Sequence, residues 1–173
     1  MHPEQIKALV TDVPDFPKPG IVFKDITPLL SNAQALQAIT TWLGERAEAH
    51  QADGILAIES RGFIFGAALA DRIGMPMHLV RKRGKLPRET VSVEYSLEYG
   101  TDHVEIHADA IEPGGRYVIV DDVIATGGTA GAVADLVAKQ GGTVAACLFV
   151  LELSFLDGRS RLEGQTIESL LTF

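Results

Sequence analysis

The residues with the clearest chemical potential follow an apolar run at positions 116–120, which is typical of a buried strand. The stretch after it supplies two acids, two hydroxyls and two glycines: Asp121, Asp122, Thr126, Gly127, Gly128 and Thr129. The glycines let the backbone approach an anion, and a helix that begins here offers free amides and the positive end of its dipole. The pattern predicts a phosphate site beside a carboxylate pair, which suits a sugar diol or a magnesium ion.

Two common nucleotide motifs do not fit this loop. A Walker loop requires Gly-Lys followed by Ser or Thr, and positions 121–129 contain no lysine. The glycine spacing also differs from that of the dinucleotide fingerprint. The simpler alternative is that the two acids cap a turn and the remaining residues only connect a strand to a helix. A sugar phosphate is the favoured ligand.

A second polar turn, Glu59-Ser60-Arg61-Gly62, follows another apolar run at positions 54–58. The carboxyl ends of parallel strands form the usual ligand site of an α/β sheet, so we expect this turn beside the first one. Arg61 is the leading candidate to contact an anion there. Alone, such a turn would more simply cap a helix, and Ser60 lacks the Gly-x-Ser-x-Gly elbow of a serine nucleophile.

Positions 81–88 carry five cations in an acidic chain, which has 15 Lys plus Arg against 23 Asp plus Glu and a net charge of −8. They are Arg81, Lys82, Arg83, Lys85 and Arg88. Oriented cations stabilise a departing pyrophosphate, although a solvated surface run is the ordinary explanation. The net charge and the lack of interleaved aromatic residues argue against nucleic acid as a partner. No apolar run is long enough for a membrane helix.

Alternating apolar runs and helical patterns predict an α/β fold with a central, mainly parallel sheet flanked by helices. Strands are predicted at 54–58, 78–80, 116–120 and 144–151, and helices at 34–47, at 63–73 and from 130 to the glycines at 141–142. Residues 91–95 and 104–107 alternate like half-exposed strands and predict a projecting, flexible β-ribbon. The length favours a single domain over 1–173.

Two further features have simple structural interpretations. His103, Glu105 and His107 alternate along the ribbon as zinc ligands do, but a solvated outer face is favoured because a fourth ligand is not apparent. Cys147 lies in an apolar run, where a lone thiol is typically a small buried hydrophobe. A single cysteine fits a reducing compartment, so we expect a cytoplasmic protein.

The ordered set of motifs resembles the type I phosphoribosyltransferases, and among them those that use adenine. The resemblance runs from about Pro14 to the C-terminus. It rests on Pro14-Asp15-Phe16-Pro17 with Gly20-Ile21-Val22-Phe23, Glu59-Ser60-Arg61-Gly62-Phe63, Arg81-Lys82-Arg83-Gly84-Lys85-Leu86-Pro87, Tyr95-Ser96-Leu97-Glu98-Tyr99-Gly100 and the stretch 118–129. It implies the fold of that family, with a small N-terminal hood at about 1–32 and a flexible loop at about 81–107.

The resemblance also implies a role for each segment. The 5-phosphate would be held by Ala125, Thr126, Gly127, Gly128 and Thr129, and the ribose hydroxyls by Asp121 and Asp122. Pyrophosphate would be held by Glu59, Ser60, Arg61, Gly62, Arg81, Lys82 and Lys85. Adenine would lie between Phe23 and Val123, with the backbone of Val22 and Lys24 along its edge. Glu98 would manage the purine's proton, and Arg61 and Arg81 would assist the departure of pyrophosphate.

The implied reaction is a magnesium-dependent transfer of ribose 5-phosphate from phosphoribosyl pyrophosphate to adenine, giving AMP and pyrophosphate. Magnesium would be held mainly by the substrate, near Asp121 and Asp122. Many relatives have Arg at the position of Lys24, which a backbone contact should tolerate. A 6-oxopurine enzyme and a non-catalytic sensor of phosphoribosyl pyrophosphate remain as alternatives. The resemblance implies a homodimer in which the basic run reaches the neighbouring subunit's site.

Overall fold

The computed structural model of the chain describes residues 1–96 and 100–173. Its strands are β1 (Thr11–Pro14), β2 (Val22–Asp25), β3 (Gly54–Ile58), β4 (Met77–Lys82), β5 (Thr90–Ser96), β6 (Thr101–His107), β7 (Arg116–Ile124), β8 (Thr143–Glu152) and β9 (Ile167–Thr172). Its α-helices are α1 (Pro3–Lys7), α2 (Thr27–Leu30), α3 (Ala33–Ala49), α4 (Gly62–Ile73) and α5 (Gly128–Lys139). Two short 3₁₀-helices, Ser154–Leu156 and Gly158–Leu162, lie between β8 and β9.

The larger sheet has its strands in the order β5-β6-β4-β3-β7-β8-β9. The strands from β4 to β9 in this order run parallel to one another, as the alternation of strands and helices requires. The α/β fold with a mainly parallel central sheet flanked by helices is therefore confirmed. β5 and β6 form the expected antiparallel ribbon, and β6 joins the parallel strands by pairing with β4.

Both faces of the sheet are buried. Successive strand residues point to opposite sides, so each strand contributes to the core on both faces. Ile119 of β7 belongs to the core under α5, whereas its neighbours Val118 and Val120 belong to the core under α3 and α4. Cys147 of β8 is fully buried, and burial raises the pKa of its thiol to about 12. The prediction that this cysteine is a buried hydrophobe is confirmed.

Local signals explain where the long helices begin and end. The side chain of Asn32 accepts a hydrogen bond from the amide of Ala35 at 3.0 Å, so Asn32 caps α3. α4 ends at Gly74, whose φ of +65° gives the left-handed turn that a helix end favours. Among the described residues, no helix is long and apolar enough to cross a membrane.

The N-terminal hood contains a structure that the prolines of this segment did not predict. β1 and β2 form a two-stranded antiparallel sheet, with Val13 opposite Phe23. The hood is attached to the end of β9, where the ammonium groups of Lys7 and Lys24 lie 4.7 and 4.5 Å from the ring centroid of Phe173. The last strand therefore positions the hood relative to the main sheet.

The solvated face predicted for the alternating residues of β6 is wrong at its centre. Glu105 is 7% exposed, and its carboxylate accepts a hydrogen bond from the amide of Gly84 at 3.0 Å. The reason is that β6 pairs with β4 as well as with β5, which makes it an interior strand at this point. His103 instead lies 3.2 Å from Glu94 of the neighbouring strand.

Candidate active site

The turn after β3 meets the last residues of β7 and the loop that follows them. The strands pair in parallel with Ala57 opposite Val120, so the Glu59–Gly62 turn lies beside the end of β7, which contains Asp121 and Asp122. They open into a cavity of about 350 Å³. The described residues that line it are Glu59, Ser60, Arg61, Lys82, Asp121, Asp122, Val123, Ile124, Ala125, Thr126, Gly127, Gly128, Thr129, Ala130 and Phe149. The structure thus brings together most of the residues predicted to hold the 5-phosphate, the ribose and pyrophosphate.

The phosphate loop, residues 125–129, is fixed by its backbone. Gly127 has a φ of +76° and precedes α5, so the free amides of the helix's first turn lie at the cavity wall. A Cβ atom on Gly127 would lie 2.1 Å from the carbonyl oxygen of Gly158, which leaves no room for a side chain. The loop has the geometry of an anion site, since backbone amides and the helix dipole both favour negative charge.

A wall behind the phosphate loop was missed by the sequence analysis. It is formed by the 3₁₀ segment at 158–162, where a Cβ atom on Gly158 would lie 2.3 Å from the carbonyl oxygen of Ala125. The guanidinium of Arg159 donates to both carboxylate oxygens of Glu152 at 2.7 Å, which ties this segment to the end of β8. A single glycine in a polar stretch gives no sequence signal for such a contact.

The two acids near the carboxyl end of β7 have different surroundings. Asp122 is 4% exposed and accepts a hydrogen bond from Nε of Arg61 at 2.5 Å. The Oδ1 atom of Asp121 accepts the amide of Asp122 at 2.8 Å and lies against Gly62, where a Cβ atom would approach it to 2.9 Å. Burial, and then the negative charge of Asp122, raise the pKa of Asp121 well above its ordinary value. Asp121 therefore holds its proton to a higher pH than an exposed aspartate.

Glu59 joins the first turn to the basic run. Its Oε2 atom accepts hydrogen bonds from the amide of Lys82 at 2.8 Å and from Nε of Arg81 at 3.2 Å. Burial alone would raise the pKa of Glu59, but the Lys82 amide and then Arg81 outweigh it, so the pKa is lowered. The carboxylate therefore orients the start of the basic run. Of the residues predicted to bind pyrophosphate, those outside the set lining the cavity are Gly62, Arg81 and Lys85.

The hood contacts Arg61, a residue of the cavity lining, through Phe23. The rings of Phe16 and Phe23 meet edge to face with centroids 5.3 Å apart, and the guanidinium carbon of Arg61 lies 5.8 Å from the Phe23 centroid. Arg61 therefore contacts the hood and Asp122 at the same time. Val123, near the end of β7, also lines the cavity.

The other two hood residues predicted to contact adenine have side chains engaged elsewhere or in solvent. Nζ of Lys24 lies 2.6 Å from Asp12 and over the ring of Phe173. Val22 is 49% exposed. The contact of the Val22 and Lys24 backbone with the base stays a prediction.

Glu98 lies outside the described residues, so its role stays a prediction. Three lining residues were missed by the sequence analysis: Ile124, Ala130 and Phe149. They are apolar parts of β7, α5 and β8, and a buried apolar residue looks the same in sequence whether or not it faces a ligand.

A glycine-rich anion loop beside two carboxylates, at the ends of parallel strands, is typical of α/β proteins that bind phosphorylated ligands. A family model for the phosphoribosyl transferase domain matches residues 25–165. The chain belongs to the phosphoribosyltransferase family, since this match covers most of its length.

Individual relatives resemble the chain over nearly its whole length. An adenine phosphoribosyltransferase of Thermoanaerobacter sp. (strain X514) is 55% identical over 170 residues, which is 98% of each chain. The crystal structure of adenine phosphoribosyltransferase from Thermoanaerobacter pseudethanolicus ATCC 33223 superimposes with a TM-score of 0.95, at 53% identity and 99% coverage of both chains. The Saccharomyces cerevisiae enzyme, complexed with an imino-altritol bisphosphate and adenine, gives a TM-score of 0.91 at 40% identity and 98% coverage of both.

Proposed function

We propose that the chain is a purine salvage enzyme that transfers ribose 5-phosphate from phosphoribosyl pyrophosphate to adenine. The observation that carries the proposal is the meeting of the Glu59–Gly62 turn with residues 121–129 in one cavity. This places an anion loop, a carboxylate pair and two cations, Arg61 and Lys82, around a volume that suits one phosphorylated sugar. The relatives named adenine phosphoribosyltransferase, at 49–55% identity, support adenine as the base.

The reaction breaks the bond between C1 of the ribose and the pyrophosphate oxygen, and forms a bond from C1 to N9 of adenine. The phosphate loop holds the 5-phosphate, and Asp122 accepts a ribose hydroxyl. Arg61 and Lys82 stabilise the negative charge that develops on the leaving pyrophosphate. N9 must lose its proton, and Glu98 is the proposed acceptor. Positioning, charge stabilisation and exclusion of water account for the rate, without a covalent intermediate.

Magnesium is the proposed cofactor, and the residues present fit an ion carried by the substrate. Among the described residues, no group of three or more His, Cys, Asp or Glu side chains could hold a metal. Asp122 is paired with Arg61, and the Oδ1 atom of Asp121 accepts a backbone amide. The third carboxylate of the lining, Glu59, accepts hydrogen bonds from Arg81 and the Lys82 amide, so oxygens of the substrate would have to complete an octahedral shell. The ion would add positive charge beside the departing pyrophosphate.

Base selection rests on the hood. A backbone carbonyl of Val22 or Lys24 would accept the exocyclic amine of adenine, and it would face the oxygen of a 6-oxopurine without a hydrogen bond. Phe23 would cover one face of the base and Val123 the other. A 6-oxopurine enzyme would instead need a side-chain donor aimed at the oxygen.

The test is AMP formation from adenine and phosphoribosyl pyrophosphate, with magnesium and with excess chelator. We expect turnover that requires magnesium and that falls about a hundredfold in Asp122→Asn, because a transition-state contact is lost. Asp135→Asn, an exposed acid on α5, is the matched control and should retain activity. Folded protein that binds the donor but never forms AMP would indicate a sensor in place of an enzyme.

The proposal also includes an oligomeric state and a cellular location. The resemblance supports a homodimer, and the exposed apolar side chains of Ile64 and Leu79 offer surface for a second copy. The single buried thiol of Cys147 supports a cytoplasmic location. Light scattering at micromolar concentration would detect the dimer, and a monomeric mass would contradict it.

A further inference from the structure

Four side chains form a connected path between the phosphate loop and the basic run. The hydroxyl of Thr129 donates to the hydroxyl of Tyr95 at 3.3 Å, and Tyr95 donates to Oδ2 of Asp102 at 3.5 Å. The same carboxylate oxygen lies 3.2 Å from Nζ of Lys82. Thr129 and Lys82 line the cavity, whereas Tyr95 and Asp102 stand outside its described lining. The two inner residues thus connect the opposite ends of the donor site.

Each member of this path has a defined protonation state near neutral pH. Burial raises the pKa of Tyr95, so its hydroxyl keeps its hydrogen. The backbone amide of His103, 2.8 Å from Oδ1, lowers the pKa of Asp102, and Asp102 in turn raises the pKa of Lys82. The hydrogens are therefore ordered, with Tyr95 donating to an ionised carboxylate that also holds an ammonium group.

The ring of Tyr95 is fixed independently of its hydroxyl. It packs against the hydrophobic core under α5, and a Cβ atom on Gly128 would lie 3.5 Å from its ring. The aromatic ring therefore occupies a site beside the first turn of α5 whatever its hydroxyl does. This separation lets a phenylalanine test the hydroxyl alone.

We propose that Tyr95 is a positioning residue whose hydroxyl orients Thr129 and, through Asp102, Lys82, so that the 5-phosphate and pyrophosphate groups of one donor are bound at a fixed separation. The inference rests on the proposed function, because it takes phosphoribosyl pyrophosphate as the ligand. Without this hydroxyl, the Thr129 side chain rotates freely and Asp102 loses one of the groups that hydrogen-bond to it. Phosphoribosyl pyrophosphate then binds less well, while the adenine site is untouched.

The experiment compares Tyr95→Phe with Tyr117→Phe, which removes a buried hydroxyl bonded to the amide of Glu112 away from the cavity. Calorimetry with phosphoribosyl pyrophosphate and magnesium gives the dissociation constant, and steady-state kinetics gives separate KM values for donor and adenine. We expect Tyr95→Phe to weaken donor binding about fivefold to tenfold, the net effect of one hydrogen bond, with the KM for adenine unchanged. Tyr117→Phe should leave both constants unchanged.

Asp102→Asn gives a second readout of the same path. It should weaken donor binding in the same direction, and the double variant with Tyr95→Phe should bind no worse than the weaker single variant, because the groups act as a unit. Donor binding within twofold of wild type in Tyr95→Phe, strictly additive effects, or an equal rise in the KM for adenine would overturn the proposal. Wild-type protein that binds the donor without forming AMP would overturn the proposed function but not this one.

Discussion

The phosphate loop and the basic run are both assigned to phosphate groups of one donor, yet they are constructed in opposite ways. The loop at 125–129 is held by backbone contacts so close that Gly127 and Gly158 have no room for a Cβ atom. The run at 81–88 is held by side-chain ion pairs near solvent, with Lys82 61% exposed. In the proposed function, a site fixed by its backbone would position the sugar, and a set of charges held by side-chain contacts would neutralise the leaving group.

The largest expected effect comes from a change to the phosphate loop. Gly127→Ala should lower kcat/KM for the donor by about a hundredfold or more, because the new methyl group displaces the loop from the wall behind it. Gly114→Ala is the matched control, since Gly114 has a similar φ of +82° but open space around it. An equal loss of kcat/KM in the two variants would mean that backbone strain, and not the close contact, causes the effect.

An intermediate effect is expected for the basic run at 81–88. Arg81→Ala should lower kcat/KM for the donor by about tenfold, because Arg81 lies outside the lining of the cavity and is held by its hydrogen bond to Glu59. Steady-state kinetics with varied donor tests this, with Arg72→Ala on the exposed side of α4 as the control. A loss as large as that of Gly127→Ala would remove the distinction between the two regions.

A smaller effect concerns stability and its dependence on pH. The folded-state pKa of Asp121 is raised, so its ionisation destabilises the native state increasingly as pH rises above the unfolded-state pKa. Asp121→Asn should therefore raise Tm by about 2–4 °C at pH 8, the shift that about 1 kcal/mol gives in a chain of this size. The gain should shrink towards pH 4. Scanning calorimetry at both pH values measures it, and a gain that does not depend on pH would contradict the assigned cause.

The smallest effect is expected in the hood. Lys24→Arg should leave the KM for adenine within about twofold of wild type, because the Lys24 side chain contacts Asp12 and Phe173 and only its backbone is assigned to the base. Kinetics with varied adenine tests this. A tenfold rise in that KM would show that the side chain takes part in base recognition.

Much of the fold could be predicted because local and long-range signals agree. The run at 54–58 is a strand over the predicted residues, and the helix predicted at 63–73 begins one residue earlier, at Gly62. The strand predicted at 116–120 continues to Ile124, because β8 pairs with it past the two acids. The acids did not end the strand, since pairing on a neighbouring strand outweighs local preference.

The elements that escaped prediction are those fixed by distant contacts. The β1–β2 hairpin, β9 and the 3₁₀ segment behind the phosphate loop contain few periodic apolar residues, and each is held by pairing or packing with a remote part of the chain. The motif residues of the donor site were foreseeable because their chemistry is local. The residues that hold them, such as Gly158 and Arg159, were not, because their role exists only in the folded chain.

The most direct test of the central claim is a competition among adenine, hypoxanthine and guanine at equal concentration, with limiting phosphoribosyl pyrophosphate and magnesium. Chromatography of the nucleotide products reports the ratio of kcat/KM values in one reaction. We predict AMP in at least about a hundredfold excess over IMP and GMP, because the backbone of the hood leaves a 6-oxo group without a hydrogen bond. IMP or GMP in comparable amount would contradict the assigned base specificity while leaving the donor site intact.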